Sequence, residues 1–494
     1  MLRKIRIFTA TISFALVTLL FLDFTGTLHA WFGWMAKIQF LPAVLALNFG
    51  VVAGLILLTL LLGRVYCSVI CPLGIMQDIF SSAAGRRTKN RFKYTKPHTL
   101  LRLGVLVVFV ALLCLGFGSF ALLIAPYSAF GRIAQNLLAP IWQAGNNLLA
   151  LIAERIDSYA FYSTDIWIRS VGAFIVAVAT LLILAIIAWR KGRLYCNSIC
   201  PVGTVLGVLS KYSLFKPVIN TEKCNGCNRC ARNCKSSCID AKAHTIDYSR
   251  CVVCMDCIEN CNQGAISYSL RKGKRVATPT PKPEKASESR RDFLVATGLL
   301  AASAVKAQEM KLDGGYATII DKQAPPRENK ITPAGSLSAR NMTTHCTGCQ
   351  LCVAACPSQI LRPSTQLTTF MQPFISYEKG YCRPECNKCA SVCPTGAIQP
   401  ISVEEKSSTQ IGHAVWVKKN CVVITDDVDC GNCARHCPSG AITMVALDAQ
   451  NPQSKKIPAI NTERCIGCGA CENLCPSRPF SAIYVEGHRV HKTI

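Results

Sequence analysis

Four apolar stretches dominate the first 190 residues, at about 6–24, 40–62, 100–125 and 169–189. Each is long enough to cross a bilayer hydrocarbon core of ~30 Å as a helix. The pattern therefore predicts four membrane spans, and the second half of the chain is polar by comparison. Basic residues flank the spans. Arg3, Lys4 and Arg6 precede the first, six basic and no acidic residues occupy 85–97, and Arg190, Lys191 and Arg193 follow the fourth. Positive charge marks the cytoplasmic side. This orientation puts loops 25–39 and 126–168 outside and returns the chain inside after Trp189. Trp31, Trp34, Trp142, Trp167 and Trp189 fall in the outer loops or at span ends, as an aromatic belt does. The first stretch has the charge flank of a secretory signal. A second span follows at once and no small-residue cleavage site does, which favours an anchor.

A chain of 494 residues implies several domains. Its formal charge of +26 counts every cysteine as neutral. Every cysteine held as a thiolate would lower that figure. Much of the remaining excess lies beside the spans, so no nucleic-acid partner is needed.

The membrane half contains a repeat. GRVYCSVICPLG (63–74) and GRLYCNSICPVG (192–203) agree at eight of twelve positions. Each block follows a two-span hairpin, which puts Cys67, Cys71, Cys196 and Cys200 at the cytoplasmic face. Two readings compete. The four thiols converge on a further metal or redox centre, or the block is a structural turn in which cysteine is a small buried residue. Cys114, alone in a span, reads as core, and Cys238 as a packing residue.

Twenty-four of the 30 cysteines fall into six groups of four. They are Cys224, Cys227, Cys230 and Cys234; Cys251, Cys254, Cys257 and Cys261; Cys346, Cys349, Cys352 and Cys356; Cys382, Cys386, Cys389 and Cys393; Cys421, Cys430, Cys433 and Cys437; and Cys465, Cys468, Cys471 and Cys475. Four groups keep strict C-x2-C-x2-C-x3-C spacing. In that run three close cysteines hold one 4Fe–4S cubane and the fourth reaches a neighbouring one. A proline after the fourth suits a first helical turn. The tail that follows (CPTGAI, CPSGAI, CNQGAI) reads as a small turn leading into a strand. A lone run is compatible with zinc, but six runs leave that reading little room. A disulfide framework does not explain x2 spacing repeated within single loops. Shared ligation pairs Cys224, Cys227 and Cys230 with Cys261, and Cys251, Cys254 and Cys257 with Cys234. Pairing among the last four runs stays open between first-with-second, third-with-fourth and a nested order. None of the eight histidines lies in a proposed span, and no C-x-x-C-H occurs. The expectation is six 4Fe–4S clusters, no haem, and electrons entering from a lipid-soluble quinol.

Residues 271–292 read as a linker. Ser289-Arg290-Arg291-Asp292-Phe293-Leu294 then matches the twin-arginine export consensus, followed by a weakly apolar stretch ending Val305-Lys306-Ala307. The expected organisation is multi-domain: a four-span α-helical membrane domain (1–210), a two-cluster α+β bacterial-type ferredoxin domain (211–270), a linker with the export-like segment (271–308), and a four-cluster polyferredoxin domain (309–494).

Residues 1–270 resemble the NapH-like membrane quinol-dehydrogenase subunit of periplasmic nitrate reductase systems. The shared marks are the spans, the paired C-x3-C-P blocks, PYSAFGR (126–132) and the following two-cluster ferredoxin. Residues 289–494 resemble its NapG-like exported partner, in the twin-arginine leader, the four-cluster order and the C-x8-C gap from Cys421 to Cys430. The chain departs from the pattern at Lys235 and Asn262, where proline is usual, in the C-x3-C-x2-C spacing at 382–389, and at Ala125. The resemblance implies a multi-pass protein of the bacterial inner (cytoplasmic) membrane, surrounded by lipid, that oxidises menaquinol. Residues 211–290 would be cytoplasmic and 309–494 periplasmic. Electrons would pass to a periplasmic oxidoreductase or c-type cytochrome. No acid–base or nucleophile constellation stands out, so the chain carries electrons for a catalytic partner. Two other readings are an assembly or metal-reduction factor using the C-x3-C-P thiols, and a cytoplasmic polyferredoxin scaffold without quinone chemistry. With cluster sets on both sides and no haem, ~30 Å of hydrocarbon would separate them, so a quinone or a partner subunit would have to connect the two.

Overall fold

The computed structural model describes residues 1–85, 92–158, 160–270 and 320–494. The linker, the export-like segment and residues 86–91 of the basic stretch lie outside the described residues.

Among the described residues two helices are long and apolar enough to cross a membrane, Leu2–Leu22 and Val171–Lys191, each of 21 residues. The other two expected spans are shorter helices, Phe49–Leu62 and Thr99–Cys114, of 14 and 16 residues. The reason is local. Residues 40–62 break at Leu47, which has φ +52°. Asn48 then caps a new helix, its Oδ1 accepting from Val51 N at 3.2 Å. Residues 100–125 break at Gly116, φ +82°. Beyond it come the short helices Gly118–Ala121, Leu122–Ile124 and Pro126–Ile133. Residues 126–133 are all buried. The start of the expected outer loop is therefore a segment that dips into the protein. Irregular backbone at such depth is tolerated only when protein surrounds it. Arg132, 1% exposed, donates to the carbonyls of Leu122 and Leu123.

The outward faces of the four apolar helices carry Phe8, Ile12, Phe49, Leu57, Leu100, Val107, Ile175 and Ile183, all exposed. Cys114 is exposed among them, not in the core as its isolation suggested.

The repeat is built as a swap. Val171–Lys191 packs on the helix Pro72–Gly85 that follows the first block, and Phe49–Leu62 packs on Pro201–Ser210 that follows the second. Leu2–Leu22 joins the first group and Thr99–Cys114 the second.

Both 21-residue helices run between the two cysteine-rich regions. Arg3, at one end of Leu2–Leu22, pairs with Asp256 and Glu259 at 2.8 and 2.6 Å. Beyond the other end, Thr25 O accepts from Lys388 Nζ at 2.9 Å. On the second helix, Gly172 lies against Thr365, while Gly192, just past the far end, lies against the Lys235 carbonyl. Residues 215–270 and 320–494 thus cap opposite ends of helices about 32 Å long.

The first cap is a small ferredoxin module. Strand Phe215–Ile219 pairs antiparallel with Ile266–Leu270, and Ile239–Asp240 with Thr245–Ile246. The second cap holds three antiparallel pairs: Leu361–Pro363 with Pro373–Ile375, Thr409–Trp416 with Ile483–Thr493, and Ile442–Ala446 with Lys456–Ile460.

Candidate iron–sulfur centres

The four strict cysteine runs share one backbone turn. The residues flanking the second cysteine have positive φ in each: Gly226 and Asn228, Val253 and Met255, Gly348 and Gln350, Gly467 and Gly469. This left-handed alternation curls the loop so that successive thiols face inward. Val253, β-branched, accepts a conformation that is costly for it. The run at 382–393 lacks the turn. There Lys406, 7% exposed, donates to the carbonyls of Arg383 and Cys386 and holds the loop instead. The expected tail turn is present, with positive φ three residues after the fourth cysteine at Ser237, Gly264, Gln359, Gly396 and Gly440.

The thiols gather in fours around small cavities. Cys224, Cys227, Cys230 and Cys261 line one. Cys251, Cys254, Cys257 and Cys234 line another. Cys421, Cys430, Cys433 and Cys475 line a third. Elsewhere Cys393 faces the Cys346, Cys349 and Cys352 thiols, Cys356 faces Cys382 and Cys389, and Cys437 faces Cys465, Cys468 and Cys471. Of the two open orders, the fold has first with second and third with fourth. Cys238 lies beside the second cavity, its Sγ 3.5 Å from that of Cys234. It is a fifth thiol at that site, which its spacing outside the run concealed.

These cavities suit a cluster. Backbone N–H groups point at the sulfurs: Ala265 to Cys261, Gly348 to Cys346 and Ala482 to Cys475, at 3.3, 3.4 and 3.3 Å. Burial pushes the Cys349 and Cys433 thiols up to about 11 and Cys468 to about 12. Buried thiols with little nearby positive charge become stable thiolates when iron binds them.

The duplicated blocks also converge. Cys67, Cys71, Cys196 and Cys200 are 4–5% exposed and face one another. The eight identical positions account for this. Gly63 and Gly192 end the preceding helices at φ +72° and +61°. Arg64 reaches across to the Cys196 carbonyl, to Asn197 and to the Cys67 sulfur at 3.2, 3.0 and 3.7 Å. Arg193 reaches back to the Cys67 carbonyl and to Asp78. Tyr66 donates to Gln39 and Tyr195 to the Ile124 carbonyl. Ile70 and Ile199 pack on the surrounding core. Pro72 and Pro201 open the next helices. At Gly74 and Gly203 a Cβ would meet the Cys67 and Cys196 carbonyls at 2.3 and 2.2 Å. Gln77 donates to Cys196 Sγ at 3.2 Å, and Gly203 N to Cys200 Sγ at 3.3 Å.

This four-thiol site lies between the two caps. On the ferredoxin side, Arg64 and Arg102 bond the carbonyl of Ser249, two residues before Cys251, at 3.1 and 3.3 Å. Lys235, where proline is usual, approaches Asp78 at 3.7 Å and Asp256 at 3.2 Å. Its departure from the motif ties the module to the helical N-terminal half. Burial opposes the charge of Asp78, but Arg193, Lys235 and Arg6 hold its carboxyl well below the ordinary range. On the other side, Phe40 packs on Tyr66 and Phe21 on Tyr127, centroids 6.4 and 5.7 Å apart. Tyr127 neighbours both Tyr66 and the Cys349 and Cys393 thiols. Gly131 abuts the Cys349 carbonyl, where a Cβ would stand 2.3 Å away. Protein thus fills the space between the two cysteine-rich caps.

A family model described as a 4Fe-4S binding domain matches residues 44–91 and 173–221. Another, a 4Fe-4S dicluster domain, matches 428–478. The chain is similar to the putative electron transport protein YccM of Escherichia coli, 27% identical over 234 residues, which are 47% of this chain and 58% of that one. The aligned part therefore spans little more than half of that relative. Similarity extends to the ferredoxin-type protein NapF of Escherichia coli, 27% over 182 residues, 36% of this chain and all of the relative. It extends also to the methylamine utilization ferredoxin-type protein MauM of Methylobacillus flagellatus, 27% over 164 residues, 32% of this chain and 69% of the relative. No solved structure matches. The chain thus contains stretches that match 4Fe-4S binding models, and other stretches are similar to ferredoxin-type proteins.

Proposed function

We propose that this protein is a membrane-embedded relay that oxidises a quinol, menaquinol being the family's choice, and passes single electrons through 4Fe–4S clusters to an oxidoreductase or c-type cytochrome on the outer face. Six clusters are held by the six four-cysteine sets. Cys67, Cys71, Cys196 and Cys200 hold a further centre that links the ferredoxin module to the outer domain. One observation carries this reading: the four duplicated-block thiols lie buried between the two cluster domains. A second supports it. The family model for 4Fe–4S binding falls on stretches whose only cysteines are those four. Their burial argues against thiols that load and release a metal. Four spans, two of them broken helices, cross the bilayer, with residues 211–290 inside. The twin-arginine segment exports 309–494 as a folded unit, as NapH-like and NapG-like proteins would be arranged if fused.

The Cys71→Ser and Cys200→Ser variants test the relay. Protein purified without oxygen should hold about 24 iron from six cubanes, and about 28 with a seventh. Either variant should lose about four iron and stop electrons passing between the outer domain and the 224–261 clusters. Both ferredoxin-type paramagnetic signals should remain. Unchanged iron and unchanged transfer would refute the seventh centre, and a wild-type count near eight would refute the six-cluster assignment.

A further inference from the structure

A cavity of about 310 Å³ lies where the membrane half meets the outer cluster domain. Its floor is the helical segment 135–143, one wall is residues 165–169 with Phe174, and the roof is Gln350, Val353, Gln359 and Pro363. Its size falls in the range of small-molecule sites, and its lining mixes apolar surface with a few polar groups, as such sites do.

Two of those polar groups are buried without partners. Gln350 is 1% exposed and its Nε2 bonds nothing; Gln135 is 8% exposed and its Oε1 bonds nothing. The orientation of Gln350 follows from its neighbours. Asn136 Nδ2 donates to the Arg132 carbonyl and to Gln350 Oε1, both at 2.8 Å. Gln350 therefore turns its N–H group away from Asn136, leaving a buried, unpaired donor on a residue that lines the cavity. An unpaired buried donor and acceptor each cost roughly 1–3 kcal/mol, a cost that a ligand offering both complements removes. Gln350 directly follows Cys349, so the roof of the cavity is a cysteine loop itself. Of the lining residues, Ile166 and Ile168 are exposed and apolar, as fits a path for an isoprenoid tail from lipid. Asp165 also lines the cavity and is exposed.

We infer that this cavity binds the head group of the quinol, with Gln135 Oε1 accepting from one ring hydroxyl and Gln350 Nε2 donating to a ring oxygen. The inference rests on the quinol-oxidising reading above. Both O–H bonds of the ring break and both C–O bonds become C=O. Two electrons leave singly, to two oxidised clusters held by the paired runs at 346–356 and 382–393. Two protons leave to the Asp165 carboxylate and to water on the outer side.

The test uses the full chain, purified with its clusters in lipid nanodiscs, and an azido-naphthoquinone probe. Labelling should map to residues 135–143 and 350–359. Gln350→Asn withdraws the amide but keeps a residue suited to positive φ, and Gln135→Leu removes the acceptor. Each should weaken probe binding by about 3–10-fold, as loss of one neutral hydrogen bond does, with iron content unchanged. If naphthoquinol reduces the wild-type clusters but labelling maps elsewhere and both variants bind normally, this site is refuted and the quinol reading stands. If naphthoquinol neither binds nor reduces the wild type, the quinol reading itself falls. Labelling abolished by added phospholipid alone would make the cavity a lipid site and refute the inference.

Discussion

Replacing Asp78 with Asn tests how the ferredoxin module is fastened. Asp78 is 7% exposed, and its carboxylate meets Arg193 Nε at 2.8 Å, Lys235 at 3.7 Å and Arg6. At an effective dielectric of about 20, the first two pairs are worth ~6 and ~4 kcal/mol before desolvation. Desolvation cancels most of that, but the amide would leave the buried Arg6 and Arg193 beside Lys235 without their shared carboxylate, Lys235 alone keeping Asp256. Losing one partner of a buried pair costs about 3–5 kcal/mol, and that is the expected loss. Removing Lys235 instead leaves Asp78 with two arginines and Asp256 with Arg3, so Lys235→Met should cost less. The double variant should be more stable than the sum of the singles predicts, because the second change relieves charge stranded by the first. The measurement is denaturant unfolding of detergent-solubilised protein, followed by loss of cluster absorbance. The sign with pH follows from the lowered carboxyl. Its contribution is full above the unfolded value near 3.8 and is lost only as pH falls through the lower folded value. Asp78→Asn should abolish that dependence. A single-variant loss under about 0.5 kcal/mol, or strict additivity in the double, would refute the network.

Two further outcomes are expected. Gly203→Ala places a methyl 2.2 Å from the Cys196 carbonyl and 2.9 Å from Arg64; it should destabilise by about 1–3 kcal/mol or more and lower iron content, while Gly54→Ala, with open space around it, should do neither in the same iron assay. His491 bonds Thr332 at 3.0 Å, and burial lowers its pKa from 6.5 to about 4; the domain formed by residues 320–494 should be fully stable above pH ~6.5 and lose up to ~3 kcal/mol as pH falls toward 4, a slope His491→Gln should flatten in pH-dependent melting.

The cysteine runs were legible because thiol spacing is a local property. Pairing within 224–261 followed from the shared-ligand rule, whereas the last four runs needed the fold, since nothing in their spacing separates adjacent from nested order. The repeat was legible as a repeat. Its chemistry was not, because Arg64 and Arg193 act on the opposite block, more than 120 residues away in sequence. Lys235 looked like a defect in a motif, and its partners Asp78 and Asp256 lie on two different elements. Hydropathy placed the four apolar segments but not the breaks at Leu47 and Gly116. An averaged hydrophobic window does not register one residue with positive φ. Cys114 was misplaced for a related reason: in an apolar helix, sequence does not distinguish the protein-facing side from the lipid-facing one.

The dipping segment 118–138 changes what the two cluster domains can do together. Helices of 21 residues hold them about 32 Å apart, too far for a direct electron step if the space between were lipid. Ile124 and Tyr127 bring the outer segment down to Tyr195 and Tyr66, which flank the four block thiols. The same segment carries Gly131, close under the Cys349 carbonyl, and continues into Gln135 at the cavity. One stretch of chain therefore touches the block thiols, the first outer cysteine loop and the proposed quinol site. A quinol oxidised there would deliver its electrons where the path branches, outward through the later cysteine sets or inward through the block thiols to the ferredoxin module. The relative potentials of those two branches would then decide which side of the membrane receives each electron.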